Sequence, residues 1–134
     1  LNSIVIKLIR DFGYSADTAE LSRDRLKSVR RTLQYIDTHL SEHFTLSSLS
    51  EIAGMSPNYY SSLFHSVSGI TLWDYINSRR IESAIQLLSE EKGRTVLDIA
   101  TMCGYNNTAN FNKAFKKIAG LTPSEYRISG ESIY

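Results

Sequence analysis

Between Thr108 and Ile118 the chain carries Asn110, Asn112, Lys113, Lys116 and Lys117, and not one carboxylate. A side-chain amide can pair its donor and acceptor with the edge of adenine, and lysine can reach guanine or a backbone phosphate. A merely solvated helix face usually mixes Glu with Lys, so the missing acids point to a polyanionic partner. An earlier segment has the same outline in neutral form. Asn58, Tyr59, Ser61, Ser62 and His65 stand at its outward positions, with hydrogen-bonding groups but no Arg or Lys.

These two segments occupy equivalent places in an internal repeat. Thr45–Met55 recurs as Thr95–Tyr105, and Pro57–Tyr75 recurs as Thr108–Tyr126. Tyr60 pairs with Phe111, Phe64 with Phe115, Gly69 with Gly120 and Thr71 with Thr122. A repeat of this kind is one supersecondary unit used twice. Here it is two short helices around a glycine-containing turn, the helix-turn-helix pattern.

The helices that must hold those faces are legible from apolar spacing. Leu26, Val29, Leu33, Ile36 and Leu40 recur at three and four residues, which predicts an amphipathic helix from Arg23 to Glu42. In the first repeat Thr45 is an N-cap, and Leu46, Leu49, Ile52 and Ala53 face inward. Gly54 can supply the left-handed backbone of the turn, and Ser56-Pro57 starts the next helix. Tyr60, Leu63, Phe64 and Val67 tie that helix to the core. A long helix follows from Leu72 to Ser89, capped by Thr71. In the second repeat Thr95 and Asp98 mark the start, and Val96, Ile99, Ala100, Met102 and Cys103 are expected inside. Gly104 takes the turn, Asn107 the cap, and Phe111, Phe115 and Ile118 the buried side. Thr122-Pro123-Ser124-Glu125 starts a last helix.

No alternation of period two appears, so the fold class is all-α: two helix-turn-helix subdomains joined by a long linker helix. The boundaries expected are 1–22 for the tail of a preceding domain and a linker, 23–70 for the first subdomain, 71–90 for the linker helix and 91–130 for the second. Within the first stretch, residues 4–10 read as helical and 12–19 as a loop. The chain opens on Leu1 and reads as a piece of a longer protein.

Composition narrows the classes. A chain of 134 residues with 42% hydrophobic and 22% charged residues describes a globular protein. Its net charge of +1 means that affinity for nucleic acid must come from local concentration of cations. The single cysteine, Cys103, allows no internal disulfide and suits a reducing cytosol, so a cytoplasmic location is expected. No apolar run is long enough to span a bilayer. There is no phosphate-cradling glycine loop, no Ser/His/Asp arrangement and no paired acids, so neither catalysis nor a cofactor is expected. His39 and His43 stand four apart, as two metal ligands on a helix would. No third ligand completes them, so a solvated helix edge is the favoured reading. Cys103 is expected to be an inert core residue, and Trp73 a packing residue.

The stretch from Gly104 to Lys117 resembles the second helix-turn-helix of the AraC/XylS family of bacterial transcription regulators, and Gly120-Leu121-Thr122-Pro123-Ser124-Glu125-Tyr126-Arg127 resembles its ending. The helix carrying Tyr75-Ile76, Arg80, Ala84 and Leu87-Leu88 is similar to the family's linker helix. The likeness runs from about Leu33 to Arg127. Departures are Ala109, where the family often has Ser, Leu72, where proline is frequent, and Ser62 and His65, which replace commonly basic residues.

The resemblance implies two recognition heads on one connecting helix. A helix of ~18 residues is ~27 Å long, against ~34 Å between successive major grooves on one face of DNA. A monomer is therefore expected to read two neighbouring grooves of an asymmetric site, with some bending or a looser grip by the first head. Base-edge candidates are Asn58, Ser61 and Ser62 in the first head and Thr108, Asn110, Asn112 and Lys113 in the second. Phosphate candidates are Thr45, Ser56, His65, Thr95, Asn107, Lys116 and Lys117, with Arg79 and Arg80 on the linker helix. For one of those two arginines a structural role, bonding carbonyls at a neighbouring helix end, is an equal alternative. The partners expected are double-stranded promoter DNA and, as the family implies, RNA polymerase, with no membrane. The fragment is expected to be monomeric, with any dimerisation outside it. The rival reading is a helical interaction module that contacts polymerase or a sensor partner without reading DNA.

Overall fold

The computed structural model describes residues 19–133. Seven helices and no strand lie among the described residues: α1 Ala19–Thr38, α2 Leu46–Ala53, α3 Pro57–Ser68, α4 Leu72–Glu90, α5 Val96–Met102, α6 Thr108–Ala119 and α7 Pro123–Ile133. The fold is all-α, as expected. The helix expected over 4–10 and most of the loop over 12–19 lie outside the described residues.

The chain forms two compact units. The first comprises α1 and residues 44–75; the second comprises residues 39–43 and everything from Ile76 onward. In the first unit, α2 packs on α1 and α3 on α2. Its core is Val29, Leu33, Ile36, Leu49, Tyr60, Phe64 and Tyr75, all nearly or fully buried. The Tyr60 hydroxyl donates to Thr32 Oγ1 at 2.7 Å, and Thr32 in turn donates to the Val29 carbonyl at 2.7 Å. That chain satisfies two buried hydroxyls that would otherwise each cost ~1–3 kcal/mol.

Burial pushes the Tyr60 phenol up to about 12, opposed by its bond to Thr32. A pKa raised above its unfolded value near ~10 contributes stability that is whole below pH ~10 and is lost as pH rises toward ~12. Tyr60→Phe is therefore expected to cost about 1 kcal/mol at neutral pH and to blunt the alkaline unfolding of the first unit. Urea titrations at pH 8 and pH 11 check this; an unchanged pH response in the variant would refute it.

The second unit is built around Ile81, Ala84, Leu88, Ile99, Ala100, Cys103, Phe111 and Phe115. Its aromatic side chains meet in succession: Tyr105 to Phe111 edge to face at 5.4 Å, Phe111 to Phe115 tilted at 5.8 Å and Phe115 to Tyr126 edge to face at 5.9 Å. Offset and edge contacts of this sort suit the ring quadrupole. Cys103 is buried here, and that burial pushes its thiol up, which suppresses the reactive thiolate.

Several expectations need correction. α1 ends at Thr38, not Glu42, because the chain turns there, with the Glu42 amide donating to the His39 carbonyl. His39 and His43 therefore do not share a helix, and no group of potential metal ligands occurs among the described residues. Met102 is 38% exposed. It sits about a quarter turn off the stripe of Ile99, Ala100 and Cys103, since residues advance ~100° each along a helix. Ile118 is 39% exposed, in the last turn of α6 where the buried stripe ends. Trp73 is 45% exposed, because Leu72, Tyr75 and Ile76 take the core side of α4.

Candidate nucleic-acid interface

Each repeat begins with a cap that its sequence announces. Thr45 Oγ1 accepts from the Ser48 amide while Ser48 Oγ accepts from the Thr45 amide, a reciprocal capping box. Thr95 and Asp98 make the same pair before α5. Ser56 caps α3 by accepting from the Tyr59 amide, and Asn107 caps α6 by accepting from the Asn110 amide at 2.8 Å. Capping uses only the acceptor side of these groups. The hydroxyl protons of Thr45, Ser56 and Thr95 and the amide N–H2 of Asn107 remain donors at helix starts, where negative charge is favoured.

The α6 face follows from its period. Phe111 and Phe115 are buried on one side, while Ala109, Asn110, Asn112, Lys113, Lys116 and Lys117 are exposed. Thr108 is half-buried at the first turn. Residues four apart stack, so Asn112 with Lys116 forms one flank of the exposed face and Lys113 with Lys117 continues along the other. Each flank thus carries one base candidate followed one turn later by one phosphate candidate.

On α3 the exposed residues include Asn58, Tyr59, Ser62 and His65, with Ser61 half-buried. His65 lies in the last turn and is the sole basic residue of that turn. The cation missing from this helix comes from elsewhere in the same unit. The guanidinium of Arg25, on α1, lies over the Tyr59 ring at 5.3 Å from its centroid. Sequence reasoning missed Arg25, because nothing near it in the chain marks a contact with a residue on α3. The basic run along α1, Arg23, Arg25, Lys27, Arg30 and Arg31, was the available signal.

The two linker-helix arginines have separate environments. Arg80 takes up the structural alternative: its Nε donates to the Leu40 carbonyl at 3.0 Å and its Nη2 to the Glu42 carbonyl at 2.8 Å. Its guanidinium also lies 5.7 Å from the Tyr105 ring centroid. These bonds hold residues 39–43 to the second unit, where the first helix has ended. Arg79 pairs with Glu82 one turn along α4. The Tyr105 hydroxyl donates to Asn77 Oδ1 at 3.0 Å, and burial pushes that phenol up to about 12 despite the nearby Arg80 cation.

Known proteins resemble this chain in sequence and in fold. Residues 49–129 match the model of a helix-turn-helix domain. The regulatory protein PocR of Salmonella typhimurium is 31% identical over 127 residues, covering 95% of this chain and 42% of PocR. The chain spans well under half the length of the first curated relatives it matches. Among solved structures, the C-terminal domain of AraT, a response regulator from Geobacillus stearothermophilus, superposes with a TM-score of 0.72 at 35% identity, covering 76% of this chain and 84% of that one. The DNA-binding domain of AdpA, solved in complex with a target DNA, shares the fold at a TM-score of 0.74 and 23% identity, over 78% of this chain and 93% of its own.

Proposed function

The chain belongs to the AraC/XylS family of helix-turn-helix transcription regulators, and on that premise we propose that it binds double-stranded promoter DNA sequence-specifically as a regulator's DNA-binding domain. One observation carries the reading furthest. The exposed face of α6 holds three lysines and two asparagines with no acid, behind an N-cap that leaves its own amide donors open. A face of that composition suits the floor and walls of a major groove.

α6 is the principal reader. Asn110, Asn112 and Lys113 meet base edges, with Thr108 at the groove entrance, while Lys116, Lys117, Thr95 and Asn107 hold phosphates. α3 is the second reader, through Asn58, Ser61 and Ser62, with Thr45, Ser56 and His65 toward the backbone. Arg25 supplies that head with the cation its own recognition helix lacks. The two helices enter successive major grooves of one asymmetric site. Control of transcription, with activation through polymerase contacts in the cytoplasm, follows from the family.

The experiment is fluorescence anisotropy on random duplex libraries across a salt series, with the selected binders sequenced. Two conserved blocks about one helical turn apart support the two-head reading. A single block would leave α3 as a clamp. No salt-sensitive duplex binding would sink the proposal and leave a protein-interaction module. Within this assay, Lys116→Ala is expected to weaken binding to all sequences alike and to lower the salt slope by about 1. An altered base preference at unchanged slope would remove Lys116 from the backbone contacts.

A further inference from the structure

Beside α6 the second unit has an open cleft of about 430 Å³. Arg80, Tyr105 and Asn77 are half-buried in its wall, and Asn106, Lys117 and His43 are among the exposed residues that line it. No lining residue carries a carboxylate. Tyr105 donates to the Asn77 carbonyl oxygen, which leaves the Asn77 amide N–H2 as a donor at the cleft wall. Arg80 spends donors on the Leu40 and Glu42 carbonyls yet keeps its charge, as a guanidinium does in any such setting. The cleft thus presents the lysines Lys113 and Lys117 and several N–H donors, with no carboxylate in its lining. N–H donors clustered with cationic side chains are the chemistry that recognises phosphate oxygens.

We propose that this cleft is a phosphate-binding site in which His43, Asn77 and Asn106, none of them a DNA-contact candidate from the sequence, act together with Lys117. Its role in gripping DNA rests on the reading above: the strand flanking the groove entered by α6 supplies the phosphate. A free phosphate ester offers the same chemistry, and its volume also suits the cleft, since small-molecule sites run from roughly 300 to 1,000 Å³.

Asn77→Asp is the sharpest variant. It keeps an acceptor for the Tyr105 hydroxyl, so the wall stays in place, while exchanging the amide donor for a negative charge. Two measurements are made on the wild type and the variant: duplex affinity by anisotropy across salt, and inorganic pyrophosphate titration followed by NMR at His43, Asn106 and Lys117 without DNA. The expected result is a roughly 10-fold loss of affinity for every duplex sequence, with pyrophosphate shifting the cleft resonances in the wild type only. Unchanged duplex affinity, with pyrophosphate binding still abolished by the variant, would support the site with a free phosphate ester as its ligand. Pyrophosphate binding by a protein that fails to bind any duplex would likewise support the site while removing the DNA reading. No pyrophosphate response in the wild type overturns the proposal, even if Asn77→Asp weakens duplex binding, because a new carboxylate near α6 repels DNA from any position.

Discussion

Gly104→Ala is expected to destabilise the second unit by about 3 kcal/mol. Gly104 has φ of +94°, a left-handed backbone that costs an L-residue ~1–2 kcal/mol. A methyl group there would also stand 2.5 Å from the Leu40 carbonyl oxygen and 2.9 Å from Arg80 Nε. Those two atoms are the partners of the bond that anchors residues 39–43. Backbone cannot give way as a flexible side chain does, so the bond must lengthen or break, and a charged donor's bond is worth ~1.5–3 kcal/mol. The equivalent glycine of the first repeat provides the control. Gly54 has φ of +70°, yet nothing lies within 4 Å of a Cβ built there. Gly54→Ala should therefore cost only the backbone term, ~1–2 kcal/mol. Amide exchange at Phe111 and Phe115 for the first variant, and at Tyr60 and Phe64 for the second, reports each unit separately. Protection should fall ~100-fold in the Gly104 variant, since each 1.4 kcal/mol is a factor of ten. Equal losses in the two variants would mean that the close approach to Leu40 carries no energy.

The contrast between those glycines also marks the limit of what the sequence discloses. Both were legible as turn residues because a turn is a local signal: an apolar helix, a glycine, then a cap. The same holds for Thr45, Thr95 and Asn107, whose caps are written within three residues. Tyr60 and Phe64 in one core, and Phe111 and Phe115 in the other, followed from helical spacing alone. What separates Gly104 from Gly54 is an arginine and a carbonyl from distant parts of the chain, brought beside only one of them. Arg80 was left between two roles for the same reason, since its acceptors lie about forty residues away. The end of α1 was misplaced because the apolar stripe continues through Leu40, although the backbone has already turned. At the candidate interface the exposed face of α6 was readable, whereas the cleft beside it was not. Asn77, His43 and Asn106 come from three separate segments, and no local pattern joins them.

Asn112→Ala is expected to lower affinity for the best duplex by about 1–3 kcal/mol, roughly 5- to 150-fold, while leaving affinity for random duplex and the salt slope unchanged. Asn112 is exposed, and its side chain makes no hydrogen bond with any described residue. Alanine at that position has the higher helix propensity, so the fold is not weakened by the change. Any loss must then come from the interface itself. The amide lies on the opposite flank of the exposed face from the cleft, with Lys116 one turn further along. A neutral group in that place contributes little to counterion release, which depends on cations. Its loss should instead relax the base preference at one or two positions, because the paired donor and acceptor that select adenine are gone. Lys116→Ala, on the same flank, has the reverse signature: weaker binding everywhere and a shallower slope. Finding both variants uniformly weaker would mean that this flank of α6 rests on the backbone, and base reading would pass to Asn110 and Lys113.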